Sequence, residues 1–167
     1  MRHVLRAVAA FVMAFAFQAV QADESPAAAF FTKLAGHWQG NGEVRLMAAD
    51  MRMHWEPVLD GQFHRLSMED VMTGADGKSW HFKAQGYYRV QTDGTISGTW
   101  FDSRGISLPL TGRVEGDTMT IDWGTEAIER GRSSYRLGDG ALEVTDEVYA
   151  KEGELRVFGR TRLTRPE

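Results

Sequence analysis

Apolar and polar residues alternate along most of this chain, and the alternation predicts β-strands. From Trp38 onward, short alternating runs are separated by Asp-Gly pairs or by glycines with charged neighbours. Alternation places the apolar side chains on one face of a strand, and Asp-Gly pairs are typical of tight hairpin turns. The pattern therefore predicts an all-β fold, an up-and-down antiparallel barrel of eight to ten strands. We expect closure because it removes the exposed edges of a sheet.

The residues that flank the predicted turns pair in a consistent register. Folding the chain back at Asp60-Gly61 places Trp55 opposite Leu66 on one face and Glu56 opposite Arg65 on the other. Apolar pairs on one face and opposite charges on the other both stabilise an antiparallel pair. A slip by one residue would destroy both patterns, so the sequence favours this register of the hairpin.

Further hairpins extend the same alternation of inward and outward positions along the chain. One pairs Val90 with Ile96, and another, around Gly153, pairs Val148 with Val157. The inward-facing set predicted in this way consists of Val44, Leu46, Met53, Trp55, Leu66, Met68, Trp80, Phe82, Tyr88, Ile96, Trp100, Leu108, Leu110, Val114, Met119, Ile121, Trp123, Val144, Val148 and Val157.

One short helix is predicted before the strands, over about 25–35. Ser25 is a favourable N-cap and Pro26 suits the first helical position. Phe30 and Leu34 lie four residues apart, on one face of a helix, and Gly36 is a typical C-terminal stop.

The first 22 residues have the layout of a secretory signal peptide. A basic start is followed by an apolar run at 7–17, and Val20 and Ala22 supply small residues where a signal peptidase cleaves. The run is about half as long as a membrane-spanning helix requires. We therefore expect a signal peptide at 1–22, a barrel domain at 23–167, export to the periplasm or the medium, and no membrane span after cleavage.

Composition narrows the function further. The 167 residues fit one domain, carry a net charge of -4 and include no Cys. The negative charge argues against nucleic acid as a partner, and the absence of Cys excludes disulfides and thiol chemistry. No His pair has the spacing of a zinc site, so no metal is predicted. The sequence does not indicate a protein partner.

The bulky inward set predicts a ligand-binding interior. Aromatic and Met side chains suit an apolar or amphipathic small molecule, with His64 orienting its polar end. The predicted ligand-binding residues are Trp55, His64, Trp80, Tyr88, Trp100 and Trp123.

Two alternatives remain open at this stage. The barrel could be a cofactor-independent enzyme of the isomerase, hydratase or cyclase type, for which His64 and Asp102 are the candidate catalytic residues. Alternatively, the same apolar residues could fill a solid barrel whose outer face meets a partner in the cell envelope.

The segment Leu34-x-Gly36-x-Trp38-x-Gly40-x-Gly42 resembles the opening motif of lipocalin-like barrels of the calycin superfamily. Its fuller form is similar to nitrobindin-like and related bacterial families, as are Trp55-Glu56-x-x-Leu59-Asp60-Gly61 and Trp100-x-Asp102-x-x-Gly105.

This resemblance implies that Trp38 closes one barrel end and is packed by an Arg of the last strand, with Arg160 and Arg162 as candidates. Nitrobindin-like proteins bind haem through a His late in the chain. Every His in this sequence lies at or before position 81, so no cofactor is predicted.

Overall fold

Ten antiparallel strands close into a barrel in the computed structural model, which describes residues 25–150 and 153–167. Each strand pairs with its neighbours in sequence, and β1 pairs with β10 to complete the barrel. The fold class predicted from the sequence is thus confirmed, whereas the predicted signal peptide at 1–22 lies outside the described residues. The elements are α1 Pro26–Leu34, β1 Gly36–Val44, β2 Met47–Val58, β3 Phe63–Thr73, β4 Ser79–Val90, β5 Ile96–Asp102, β6 Ser107–Glu115, β7 Thr118–Gly124, β8 Arg130–Gly138, β9 Ala141–Tyr149 and β10 Leu155–Thr164.

The helix α1 begins and ends where the sequence predicts. The hydroxyl of Ser25 accepts a hydrogen bond from the backbone N–H of Ala28 at 3.2 Å, and Pro26 follows as the first helical residue. The chain leaves the helix at Gly36, whose φ of 114° favours glycine. No helix among the described residues is long and apolar enough to cross a membrane. The buried face of α1 consists of Ala27, Phe30, Phe31 and Leu34.

The helix covers one end of the barrel, which we name the helix end. The Phe31 ring contacts Trp55, His64 and Tyr88 on β2, β3 and β4, and α1 also contacts β6 further round the barrel. The opposite end carries the turns that follow β1, β3, β5, β7 and β9, and we name it the loop end. Access to the interior therefore differs between the two ends.

The predicted hairpin registers are confirmed at β2–β3 and β4–β5. Trp55 lies opposite Leu66, and Glu56 lies opposite Arg65, with which it forms an ion pair. Val90 lies opposite Ile96.

The predicted register of the last hairpin is wrong near its turn. Val157 lies opposite Glu147 instead of Val148, because a β-bulge interrupts the pairing between Val157 and Gly159. An extra residue in one strand reverses the facing of the positions beyond it, which leaves Val157 39% exposed.

Leu46 is also not an inward residue. It lies in the tight turn between β1 and β2, where Arg45 and Leu46 have φ values of 52° and 63°. Two positive φ values in a two-residue loop are characteristic of type I′ hairpins. The prediction assumed that the alternation of inward and outward side chains continues into this turn. In the structure, Leu46 is 90% exposed.

Candidate functional site

Aromatic side chains fill the interior nearest the helix end. Trp55, Tyr88 and Tyr135 are almost fully buried. The ring centroids of Trp55 and Tyr88 lie 5.1 Å apart, and those of Trp55 and Tyr135 lie 5.6 Å apart in an edge-to-face arrangement. Such contacts are favourable, and Phe31 of α1 packs on the same group. The interior is therefore closed by packing at this end.

A row of polar side chains crosses the interior beyond the tyrosines. The Trp123 Nε1 group donates to the hydroxyl of Ser133 at 3.2 Å, and this hydroxyl donates to Asp146 Oδ1 at 2.5 Å. The Tyr135 hydroxyl lies within hydrogen-bonding reach of both Ser133 and Tyr88. These contacts give the row its polar partners, as burial requires, whereas the buried Trp55 Nε1 group has none among the described residues.

Asp70 and Asp146 lie at inward positions of β3 and β9, and we name them the inner acid pair. Asp70 is 3% exposed, and its Oδ1 atom has no hydrogen-bond partner. Burial raises the pKa of each carboxyl to about 6, and the charge of Asp146 adds to the rise at Asp70. Within residues 25–150 and 153–167, no ion pair includes either carboxyl. No ion pair within these residues therefore offsets the negative charge of the inner acid pair.

Asp146 is partly buried, with its Oδ1 atom held by the Ser133 hydroxyl, and it keeps accessible surface. The inward rings of Phe82, Trp100 and Trp123 also pack against the core and keep some accessible surface. Each of these residues, like Asp70, lies within three positions of the loop-end terminus of its strand. We name this loop-end part of the interior, defined by Asp70, Phe82, Trp100, Trp123 and Asp146, the inner chamber. Since these strand termini lie at the loop end, the chamber is nearest to solvent there.

Two of the predicted ligand-binding residues, Trp100 and Trp123, border the inner chamber. Trp55 and Tyr88 belong instead to the packed aromatic group near the helix. Trp80 has the predicted inward parity, opposite Met72, but it is 48% exposed because it lies near the start of β4 at the rim. The six predicted residues therefore do not form one surface.

A hydrogen-bonded group lies at the rim of the loop end. Burial alone would raise the pKa of Asp102, but hydrogen bonds from Arg104 and from the Trp100 indole hold it below its usual value. Arg104 Nη2 lies 2.7 Å from Asp102 Oδ2 and 2.5 Å from Glu129 Oε1. This arginine joins the β5–β6 and β7–β8 loops and anchors the Trp100 ring at the rim.

His64 does not share a site with Asp102. It lies opposite Pro57 and Tyr88 at the helix end, and its ring stacks on Phe31 with centroids 4.1 Å apart. Burial lowers the pKa of His64, which keeps the imidazole neutral at pH 7. The two predicted catalytic candidates are therefore at opposite ends of the barrel.

The arginine that packs on Trp38 is Arg165, just beyond β10, instead of Arg160 or Arg162. Its guanidinium carbon lies 4.3 Å from the centroid of the Trp38 ring. Arg160 and Arg162 are exposed on the outer face, where Arg162 pairs with Glu143 at 2.5 Å. Arg160 and Arg162 point outward because they alternate with the inward residues of β10. Arg165 lies beyond the end of this strand, where its side chain can reach Trp38.

The outer face carries a groove of about 580 Å³ along β1 to β5. Its charged side chains are partly paired with one another, as Lys83 and Glu69 are at 2.8 Å. The rings of His37 and His54 stack at one side, with centroids 3.9 Å apart. No group of three or more His, Asp or Glu side chains in the described part of the chain is placed to hold a metal ion. The inner chamber, with its unpaired acid, is the stronger candidate site.

Sequence analysis missed Asp146, Ser133 and Tyr135 as site residues. The available signal was a carboxylate on an otherwise apolar stripe, since Asp146 alternates with Val144 and Val148. A charged residue at an inward position of a barrel strand requires a partner or a function.

Comparison with known proteins supports the fold alone. The barrel is similar to the crystal structure of Rv2717c from M. tuberculosis, with a TM-score of 0.65 and 20% sequence identity, covering 87% of this chain and 100% of that chain. No family model matches the chain, and no curated protein matches it. The architecture fits a lipocalin-like barrel, which is compatible with ligand binding.

Proposed function

We propose that this protein binds a small apolar or amphipathic molecule in the inner chamber. The observation that carries the proposal is Asp146, an inward carboxylate that Ser133 holds by a hydrogen bond and that keeps accessible surface. Buried charge is costly unless it is paired or serves a ligand. The rings of Phe82, Trp100 and Trp123 supply apolar contact area next to it.

The ligand enters from the loop end. The helix end is covered by α1, and the Trp38 indole there donates to the carbonyl oxygen of Leu34 at 2.7 Å. Arg165 in turn packs on that ring. A pocket with aromatic walls, a few polar groups and one open mouth is the usual form of a small-molecule site.

Native mass spectrometry of the protein purified from its own host tests the proposal. We expect a bound mass that is lost on denaturation. A second measurement uses N-phenyl-1-naphthylamine, a neutral apolar probe, with tryptophan fluorescence as the readout. Saturable quenching should be reduced in Trp100→Phe and Trp123→Phe but kept in Trp80→Phe, whose ring lies at the rim. A bare mass together with no saturable quenching would overturn the proposal.

We further propose that the chain is exported and related to lipocalin-like barrels. The basic and apolar segments of 1–22 support export, and Gly36-x-Trp38 leading from a helix into the first strand supports the relationship. N-terminal sequencing of the protein from fractionated cells should find Asp23 as the first residue of the exported form. A full-length chain confined to the cytoplasm would contradict export.

A further inference from the structure

Asp70 is the inward carboxyl group with a buried oxygen atom that lacks a hydrogen-bond partner among the described residues. It is 3% exposed, and its Oδ1 atom has no hydrogen-bond partner. Its neighbours in register are Met51 on β2 and Phe82 on β4, neither of which carries a donor in its side chain that could serve a carboxylate. The site therefore lacks a hydrogen-bond donor at this atom.

Asp146 supplies a second acceptor for the same interior. Among the described residues, one side-chain hydrogen bond reaches Asp146, from the Ser133 hydroxyl to Oδ1. The charge of Asp146 contributes to the raised pKa of Asp70. The described part of the chain therefore directs a single hydroxyl to the inner acid pair.

The remaining charged and titratable groups around the pair are acidic or phenolic. Asp50 of β2 acts on Asp70, and Glu147 acts on Asp146 from its own strand. Tyr88 of β4 and Tyr135 of β8 face Asp146 as uncharged phenols, since burial raises the pKa of each well above 10. Arg104 at the rim lies over the Phe82 ring, 5.8 Å from its centroid, and is already engaged by Asp102 and Glu129. Neither acid of the pair has an ion-pair partner among the described residues.

We infer that the ligand of the inner chamber carries a protonated amine, which donates to the Asp70 Oδ1 atom while its apolar part contacts Trp100 and Trp123. This inference rests on the proposed interior binding and adds the chemical class of the ligand. An ammonium group supplies three donors and a positive charge, which satisfies the Asp70 Oδ1 atom and offsets the repulsion between the carboxylates. An anionic ligand would increase that repulsion.

Three probes of nearly equal size separate the classes: 2-phenylethylamine, 2-phenylethanol and 3-phenylpropionate. Their binding to the full protein is measured at pH 7.5 by isothermal titration calorimetry. The variants are Asp70→Asn and Asp146→Asn, with Asp122→Asn as the control. Asp122 carries the same charge but pairs with Arg132 on the outer face at 2.8 Å.

We expect the amine to bind at least tenfold more tightly than the alcohol, and the carboxylate to bind most weakly. Each inner substitution should remove most of the preference for the amine while leaving alcohol binding in place, and Asp122→Asn should keep the preference. Equal binding of amine and alcohol by the wild-type protein would overturn the amine class but leave interior binding intact. If none of the three probes binds, both the inferred class and the proposed chamber are overturned.

The pH dependence supplies an independent readout. The amine stays protonated below pH 8, while the inner carboxyls lose their charge as the pH falls through about 6. Amine affinity should therefore fall by at least tenfold between pH 7.5 and pH 5, and alcohol affinity should change little. Amine affinity that is unchanged over this range would contradict the inference.

Discussion

The ring of Trp123 occupies the space in which a side chain of Gly131 would lie. A Cβ atom built on Gly131 would meet the indole at 2.2 Å and the backbone oxygen of Glu147 at the same distance. Glycine at this inward position of β8 therefore lets a large ring lie against the barrel wall beside Ser133.

Gly131→Ala should lower the free energy of unfolding by roughly 2 kcal/mol or more, because a backbone atom and a packed ring would both have to move. Gly138→Ala in the same strand is the matched control, since its Cβ would meet only the end of the Arg136 side chain, at 3.5 Å. Chemical denaturation measures both variants. Equal effects would show that the Trp123 ring does not depend on Gly131.

Asp70→Asn should stabilise the protein at neutral pH. Because the pKa of Asp70 rises from 3.8 to about 6 on folding, the folded state binds a proton more readily between these values. The contribution of Asp70 to the free energy of unfolding is therefore largest below about pH 4. It decreases as the pH rises to about 6 and stays low above that. At about 1.4 kcal/mol per pKa unit, the variant should gain up to about 3 kcal/mol at pH 7.5 and nothing at pH 4.

Urea denaturation of the wild type and the Asn variant across pH 4 to 8 measures this difference. A gain that is the same at pH 4 and pH 7.5 would indicate that the ionisation of Asp70 is not its cause.

Arg165→Ala should destabilise the helix end. Arg165 donates to the carbonyl oxygens of Ala35 at 2.9 Å and Lys33 at 2.8 Å, and it packs on Trp38. Losing these contacts should cost about 1–2 kcal/mol. Arg165→Lys should recover part of the loss, because a lysine keeps the charge but not the planar group with two donors.

Arg162→Ala is the control for this prediction. Its pair with Glu143 is exposed on the outer face, and exposed pairs contribute about 0–1 kcal/mol. Thermal unfolding monitored by circular dichroism compares the three variants. A larger loss at Arg162 than at Arg165 would contradict the role assigned to Arg165.

Leu46→Gly should stabilise the β1–β2 hairpin by about 0.5–1 kcal/mol, because glycine adopts positive φ without steric cost. Leu46 is 90% exposed, so the substitution removes little packing. Ile128→Gly serves as the control, since Ile128 is 57% exposed and is not a positive-φ residue. Stabilisation by Ile128→Gly and not by Leu46→Gly, measured in urea, would refute the argument.

The candidate site was predictable only in part from the sequence. Alternation identified Trp100 and Trp123 as inward residues, and both border the inner chamber. The same alternation marks Asp70, between Met68 and Met72, and Asp146, between Val144 and Val148. It does not indicate that the two acids meet, because they lie on β3 and β9, which are not neighbouring strands.

The sequence by itself determined the strands, the facing of most side chains and the cap of the helix. These features depend on contacts between residues close in the chain, such as Ser25 with Ala28 or Trp55 with Leu66 across one turn. Only the tertiary structure decided that Arg165 packs on Trp38, that a bulge exposes Val157 and that Asp70 and Asp146 share one interior. These relationships depend on how the closed barrel staggers its strands, and stagger is a property of all ten strands together.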